Sequence, residues 1–139
     1  MADDDVKARV LEANEAFYQA FTRGDVAAMR ALWAGRAELL CFHPGAYLLR
    51  GAHVLSAWEQ ILAAPAPLEM RCHDAAVQLH GDVAVVTCYE GNGEQAPHLA
   101  ATNVFVLEDG HWKLLHHHAG PLAQPRIPAR GPAPSSSMN

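Results

Sequence analysis

The spacing of apolar residues changes from a helical to a strand period along this chain, and this change restricts the fold more than any other feature of the sequence. In three stretches of the first half, apolar positions recur every three to four residues, which predicts amphipathic helices. These stretches cover residues 6–21, 26–33 and 54–62. Gly24 and the N-cap residue Asp25 separate the first two, so we expect two helices that meet at a compact corner.

Strand-like segments account for most of the remaining sequence. Two short ones, at residues 37–42 and 47–49, precede the third helix. Four longer ones follow, joined by tight hairpins; they are a segment from Leu68 to the turn at residues 80–82, Asp82–Glu90, Leu99–Leu107 and Trp112–Ala119. Helices followed by an antiparallel sheet predict an α+β fold. The length of the chain fits one domain, which we place at residues 1–120. Residues 121–139 form a Pro/Ser-rich tail that we expect to be extended or disordered.

One face of the predicted sheet has no helices to cover it. Three helices cannot cover both faces of six strands, yet apolar side chains occur on both faces. In the strand at residues 99–107, for example, Val104 lies on one face and Phe105 on the other. Since an exposed apolar face needs a partner, the sequence predicts a homodimer through the open sheet face.

Charge and composition exclude several classes of function. Ten Lys and Arg against fifteen Asp and Glu give a net charge of −5 without a basic cluster, so nucleic acid is not an expected partner. No apolar run approaches the roughly 20 residues of a membrane span and the start is acidic, which predicts a cytoplasmic protein with no membrane partner. Three widely spaced cysteines indicate buried, reduced thiols, and the sequence predicts neither a metal site nor a cofactor.

Several segments resemble a known family when they are taken in order. They are the helical pair, the segment Cys41–Gly45, Gly51 ahead of Trp58, the strand Ala101–Phe105 and the run Trp112–His118. Over about residues 6–121 they resemble the SnoaL-like branch of the NTF2-like superfamily. The resemblance implies a cone, in which a curved antiparallel sheet wraps around three N-terminal helices, encloses an apolar pocket and dimerises through its convex face. Because the superfamily contains isomerases, cyclases, dehydratases and non-catalytic association domains, the resemblance leaves the function open.

Histidine is the most unusual residue type, with nine copies of which three are consecutive. In a regular strand His116 and His118 share a face with Leu114, and His117 faces the opposite side, which is the predicted dimer face. We therefore expect His116 and His118 to converge with His43 on one pocket. The pair His116 and His118 is interpreted either as a structural element or as a proton-exchanging part of the pocket. His43, where the resemblance places the pocket rim, is either a general base or a turn residue that caps backbone carbonyls.

Other candidate site residues lie on the first helix and on the strands. The resemblance implies that Tyr18 donates a hydrogen bond to an oxyanion, whereas the alternative is an ordinary amphipathic surface tyrosine. Asn103 lies mid-strand, where a buried amide needs partners. Glu90 is assigned to a solvated face within reach of the pocket mouth. The candidate pocket lining is completed by Phe21, Trp33, Phe42, Trp58, Tyr89 and Phe105.

These observations leave three functions open. The first is binding of a small apolar molecule in the cone pocket, where aromatic walls favour a ligand that bears a ring. The second is a cofactor-independent isomerase, cyclase or lyase with a histidine as general base, because the segment Leu40–His43 lacks the carboxylate that ketosteroid isomerases carry there. The third is a non-catalytic dimeric association domain.

Overall fold

A computed structural model describes residues 2–65 and 68–125 of the chain. Within those ranges the elements, in chain order, are helices α1 (Asp3–Arg23) and α2 (Val26–Leu32), strands β1 (Leu40–Phe42) and β2 (Leu49–Arg50), helix α3 (Ala52–Leu62), and strands β3 (Arg71–His80), β4 (Val83–Gly91), β5 (Leu99–Glu108) and β6 (His111–Pro121). The predicted α+β class is confirmed. Residues 126–139 of the predicted tail lie outside the described residues.

The corner between α1 and α2 forms as the sequence predicts. Gly24 has a φ of 65°, in the left-handed region, and its N–H bonds to the carbonyls of Ala20 and Phe21 at the end of α1. The Asp25 side chain accepts a hydrogen bond from the N–H of Ala28 at 3.0 Å and so caps α2. These two residues end one helix and begin the next, which places α1 and α2 against each other.

The strands form a sheet in the order β2-β1-β6-β5-β4-β3 within the described residues. Strands β3 to β6 follow one another as antiparallel hairpins, as expected. The pairing of β1 with β6 is parallel, however, so the sheet is mixed rather than wholly antiparallel. This pairing brings Cys41 beside His117, more than seventy residues later in the chain.

A β-bulge in β6 determines which histidines face the helices. Val104 pairs with His116, but the next residue, Phe105, pairs with Leu114, so that Leu115 is an additional residue in its strand. The extra residue reverses the alternation of faces. Leu114 and His117 are therefore both buried against the helices, whereas a regular strand would have placed them on opposite faces.

Aromatic side chains from α1 and α3 fill the space above the inner face of the sheet. The ring of Trp58 lies 5.3 Å from that of Phe17 and 5.0 Å from that of Phe21, both in edge-to-face contact. Phe105 from β5 is also fully buried. These aromatic side chains pack beside the buried polar side chains that are described next.

Candidate functional site

Five polar side chains are buried together between α1 and the inner face of the sheet. They are Asn14, Tyr18, Glu90, Asn103 and His117, each 2% exposed or less. Glutamate is almost never fully buried in folded proteins unless it is paired. We call these five residues the polar cluster.

Helical and strand periodicity bring the five residues of the polar cluster to one place. Asn14 and Tyr18 are four residues apart on α1 and so share one face of the helix. Asn103 and His117 are paired residues of β5 and β6, and Glu90 lies on the inner face of β4. The cluster therefore joins one helix to three strands.

Asn103 is the centre of the hydrogen bonding. Its Nδ2 donates to Asn14 Oδ1 at 2.8 Å and to the Tyr18 hydroxyl at 3.1 Å. Its Oδ1 lies 2.6 Å from His117 Nδ1, and because an amide oxygen only accepts, that nitrogen carries the hydrogen. In the neutral imidazole the lone pair is then on Nε2, which lies 3.9 Å from Glu90 Oε2.

The Tyr18 hydroxyl connects the amide to the carboxyl group. It donates to Glu90 Oε2 at 2.5 Å while accepting the hydrogen bond from Asn103, and it lies 3.3 Å from Cys88 Sγ. Burial raises the pKa of Tyr18 above its usual range, and the negative charge of Glu90 raises it further. Tyr18 is therefore a hydrogen-bond donor and not a phenolate at neutral pH.

Burial has opposite effects on the acid and the base of the polar cluster. It raises the pKa of Glu90 to about 7, although the hydrogen bond from Tyr18 lowers it in part. It lowers the pKa of His117 to about 3, and the nearby histidines, His43 first, lower it further. At neutral pH His117 is thus uncharged, and Glu90 is divided between its carboxylic acid and carboxylate forms.

Comparison with known proteins identifies the family. The model of the SnoaL-like domain matches residues 10–124. The chain belongs to the SnoaL-like domain family.

Individual relatives of this SnoaL-like domain include solved structures of two kinds. A proposed dehydratase of the NTF2-like family from Streptomyces avermitilis is 34% identical, with a TM-score of 0.78, covering 88% of this chain and all of that one. A proposed calcium/calmodulin-dependent protein kinase type II association domain from Thiobacillus denitrificans is 30% identical, with a TM-score of 0.64, covering 79% of this chain and 92% of that one. The resemblance to the NTF2-like superfamily that the sequence predicts is confirmed.

A curated relative is considerably longer than the SnoaL-like chain. The F-box protein SKIP8 of Arabidopsis thaliana is 23% identical over 111 residues, which are 79% of this chain. The chain spans about half the length of that protein, namely 48%.

Two of the predicted catalytic residues, Tyr18 and His43, lie near the polar cluster. Tyr18 belongs to it. The ring of His43 lies 4.8 Å from that of Trp58 and 6.3 Å from that of His117, at the end of β1. Burial lowers the pKa of His43, which favours its neutral form. Of the four predicted catalytic side chains, these two face the helices.

The other predicted catalytic residues lie on the opposite face of the sheet. His116 and His118 flank the buried His117, and the ring of His118 lies 4.6 Å from that of Phe42. The expected convergence of His43, His116 and His118 is therefore wrong, because the bulge at Leu115 places His117 inside instead. Phe42 pairs with His118 across β1 and β6 and shares its face.

The predicted ligand-lining residues divide in the same way. Tyr89 alternates with the buried Cys88 and Glu90 on β4, so it lies on the outer face, contrary to its assignment to the pocket. Trp33, Phe21, Trp58 and Phe105 are buried members of the core, and Asn103 belongs to the polar cluster. Contact of these residues with a ligand stays a prediction.

Three members of the polar cluster were not predicted as site residues from the sequence, namely Asn14, Glu90 and His117. The sequence assigns Glu90 to a solvated face, but it is 1% exposed. A signal for its burial is nevertheless present: Ala84, Val86 and Cys88 precede it at every second position, so the carboxyl group continues an apolar face.

A cavity of about 360 Å³ lies beside the polar cluster, between α1 and the segment that leads into β3. Its lining comprises Glu15, Tyr18, Gln19, Thr22, Glu69, Met70, Arg71 and Cys72. Tyr18 is thus shared between the cavity and the cluster, which connects the buried carboxyl group to the protein surface through one side chain.

Residues 2–65 and 68–125 contain neither a metal site nor a membrane-crossing helix. No three His, Cys, Asp or Glu side chains in these ranges are arranged to hold a metal ion. None of the helices found there combines the length and the apolar character that crossing a membrane requires.

Proposed function

We propose that this SnoaL-like domain is a cofactor-independent acid–base enzyme, a lyase or isomerase that removes a proton from the carbon next to a carbonyl group of a small molecule. Glu90 is the proton acceptor in this proposal. The observation that carries it is the buried Glu90 carboxyl group, bonded to Tyr18 and with a pKa of about 7. A general base acts best when its pKa lies near the working pH, and burial is the usual means of raising a carboxyl group to that value.

The hydrogen bond between Glu90 and Tyr18 suits both stages of such a reaction. Because Tyr18 lines the cavity and Glu90 lies behind it, the scheme requires Tyr18 to move aside when the substrate enters. The Glu90 carboxylate then takes the proton, the C–H bond breaks, and the electron pair moves onto the carbonyl oxygen to give an enolate. Once Glu90 is protonated, it no longer needs the hydrogen bond from Tyr18, whose hydroxyl can then donate to the enolate oxygen. In an isomerisation Glu90 returns the proton to another carbon; in a dehydration it gives the proton to a departing hydroxyl group, which leaves as water.

His117 is a positioning residue in this scheme. Its Nδ1–H is bonded to Asn103, which fixes the ring, and its Nε2 lies 3.9 Å from Glu90 Oε2. A neutral imidazole at this distance adds no positive charge that would lower the pKa of Glu90. Asn103 and His117 thereby maintain the environment in which Glu90 titrates near neutrality.

The cavity between α1 and β3 supports the binding of a small ligand. Its volume of about 360 Å³ is at the lower end of the range of ligand pockets, roughly 300–1,000 Å³. Glu15, Gln19 and Arg71 give it polar walls, which favours a ligand with polar groups over the wholly apolar ring compound expected from the sequence. The 34% identity to the proposed dehydratase supports the reaction class.

Exchange of carbon-bound hydrogen tests the proposal for any substrate of this chemical class. The wild-type protein is incubated in D₂O with a panel of small ketones and β-hydroxy carbonyl compounds, and NMR follows the loss of the proton next to the carbonyl. We expect exchange that increases with pH through about 7, as Glu90 loses its proton. E90Q should reduce the rate by on the order of 10²-fold or more, whereas H118A, on the outer face, should retain it.

Two results would contradict the enzyme proposal. One is exchange by E90Q at the wild-type rate while circular dichroism shows both proteins folded. The other is the absence of exchange by folded wild-type protein with every compound of the panel.

A non-catalytic association domain is the second candidate, favoured by the 30% identity to the proposed kinase association domain. In that function the polar cluster would be a structural part of the core. Half-buried Val85, Val104 and Val106 on the outer face support the homodimer predicted through this face. Sedimentation should give about twice 15.0 kDa, and H118D should shift the mass towards 15.0 kDa; a wild-type mass of one chain would refute the dimer.

A further inference from the structure

Two cysteines lie beside the polar cluster, and the proposed reaction uses neither. Cys72 on β3 is paired with Glu90 on β4, and Cys88 precedes Glu90 by two residues on the same inner face. The two cysteines are therefore diagonal neighbours across adjacent strands. Each thiol contacts a side chain of α1.

Helix α1 also holds the two thiols in place. Asn14 Nδ2 donates to Cys72 Sγ at 3.4 Å, and the Tyr18 hydroxyl lies 3.3 Å from Cys88 Sγ. Asn14 and Tyr18 are in turn both bonded to Asn103. The dithiol is thus connected to the polar cluster through two of its members.

The two thiols differ in access and in acidity. Cys72 is half-buried and lines the cavity between α1 and β3, whereas Cys88 is 4% exposed. The neighbouring Cys88 thiol and the hydrogen bond from Asn14 lower the pKa of Cys72, while the Cys72 thiol and burial raise the pKa of Cys88. An oxidant that enters the cavity meets the more acidic thiol first.

We propose that Cys72 and Cys88 form a redox-sensitive dithiol site that a hydroperoxide converts into a disulfide within the chain. The Cys72 thiolate attacks the peroxide oxygen, the O–O bond breaks, and Cys72 becomes a sulfenic acid while the leaving oxygen takes up a proton. The Cys88 sulfur then attacks the Cys72 sulfur, the S–O bond breaks, and water leaves with the Cys88 proton. In total, the two thiols lose two protons and two electrons, which the peroxide takes up as its O–O bond is reduced.

The pairing of β3 with β4 is irregular beside the two cysteines. A disulfide needs a Cα separation of about 4.4–6.8 Å, slightly less than the roughly 7–8 Å of diagonal neighbours in a flat sheet. The register of β3 and β4 shifts between His73 and Ala76, opposite Cys88, and Asp74 has a φ of 56°. A bulge increases local twist, so the strands can approach here, and a bond closed under such strain is readily reduced.

Oxidation would also alter the polar cluster. The disulfide replaces the Cys88 thiol that lies 3.3 Å from the Tyr18 hydroxyl, and it draws Cys72 Sγ away from Asn14. Both contacts hold α1 residues that are bonded to Asn103. Where the dithiol is oxidised, we therefore expect a change in the environment of Tyr18.

Peptide mapping of the wild-type protein tests this proposal independently of any enzyme activity. Folded protein is treated with an equimolar amount of hydrogen peroxide, blocked with iodoacetamide, digested without reductant and analysed by mass spectrometry. We expect a Cys72–Cys88 cross-linked peptide, lighter by two hydrogens than the two reduced peptides, that dithiothreitol separates. C41S is the matched control and should form the same cross-link, since Cys41 is fully buried elsewhere in the core.

Variants of the two cysteines identify the order of events. C88S should accumulate a sulfenic acid on Cys72 that dimedone labels, and C72S should lose both the label and the cross-link. C88A replaces C88S if the serine destabilises the buried position. The proposal is overturned if peroxide leaves both thiols of the folded wild type unmodified, if Cys72 is oxidised to sulfinic acid without a link to Cys88, or if Cys72 links only to Cys72 of another chain.

Discussion

The substitution Glu90→Gln should stabilise the protein at alkaline pH and have little effect in acid. The pKa of Glu90 rises from 4.5 to about 7 on folding, so between these values the folded state binds more protons than the unfolded state. Stability from this group is complete below about pH 4.5 and is lost as the pH rises through about 7. At about 1.4 kcal/mol per pKa unit the loss reaches about 3 kcal/mol, and glutamine avoids it while keeping an oxygen that accepts from Tyr18.

Urea unfolding of the wild type and E90Q at a series of pH values between 4 and 9 measures this effect. We expect the free energy of unfolding of E90Q to equal that of the wild type or lie slightly below it near pH 4. The difference should turn in favour of E90Q as the pH passes 7, by up to about 3 kcal/mol. E94Q, at an exposed glutamate, is the matched control and should show no such difference.

The reasoning would be refuted by a difference between E90Q and the wild type that does not change with pH. A wild-type protein that gains stability relative to E90Q between pH 5 and 9 would refute it as well, because that sign would mean a carboxylate stabilised by folding. Either result would also remove the main support for Glu90 as a base that works near neutrality.

Two further substitutions test the rest of the polar cluster. N103A should lower the free energy of unfolding by at least about 2 kcal/mol in urea, because it leaves two buried atoms, His117 Nδ1 and Asn14 Oδ1, without a partner, and each such group costs about 1–3 kcal/mol. T102A, on the opposite face, should cost less than about 1 kcal/mol. His117, whose pKa falls from 6.5 to about 3 on folding, contributes stability above about pH 6.5 that is lost as the pH falls towards 3. H117Q should therefore lose less stability than the wild type between pH 6.5 and 4, and equal slopes in acid titrations followed by circular dichroism would contradict this.

Local patterns of the sequence were sufficient for the helices, the hairpins and their order. Gly24 and Asp25 act through bonds to residues within five positions of them, so the corner they form is visible in the sequence. The long strands β4 to β6 are recognisable because alternation and turn residues are likewise local signals. The parallel pairing of β1 with β6 joins distant segments, and no local pattern indicates it.

The alternation of side chains along a strand was not sufficient to predict which histidines belong to the site. Alternation assigns His116 and His118 to one face and His117 to the other, but the additional residue Leu115 decides which of these faces is inside. The expected histidine pair therefore lies outside, and the single buried histidine is the one that the pattern assigns to the dimer face.

The sequence by itself determined an α+β chain with a carboxyl group, a tyrosine, an asparagine and several histidines at positions within its regular elements. Only the tertiary structure decided that Glu90, Tyr18, Asn103 and His117 meet, since Tyr18 is 72 residues from Glu90 and 85 from Asn103 along the chain. The physical reason is that burial and hydrogen bonding set the pKa values of these groups, and both depend on the tertiary structure. An exposed glutamate ionises near pH 4.5, and the closure of α1 over the sheet is what raises the pKa of Glu90 to about 7.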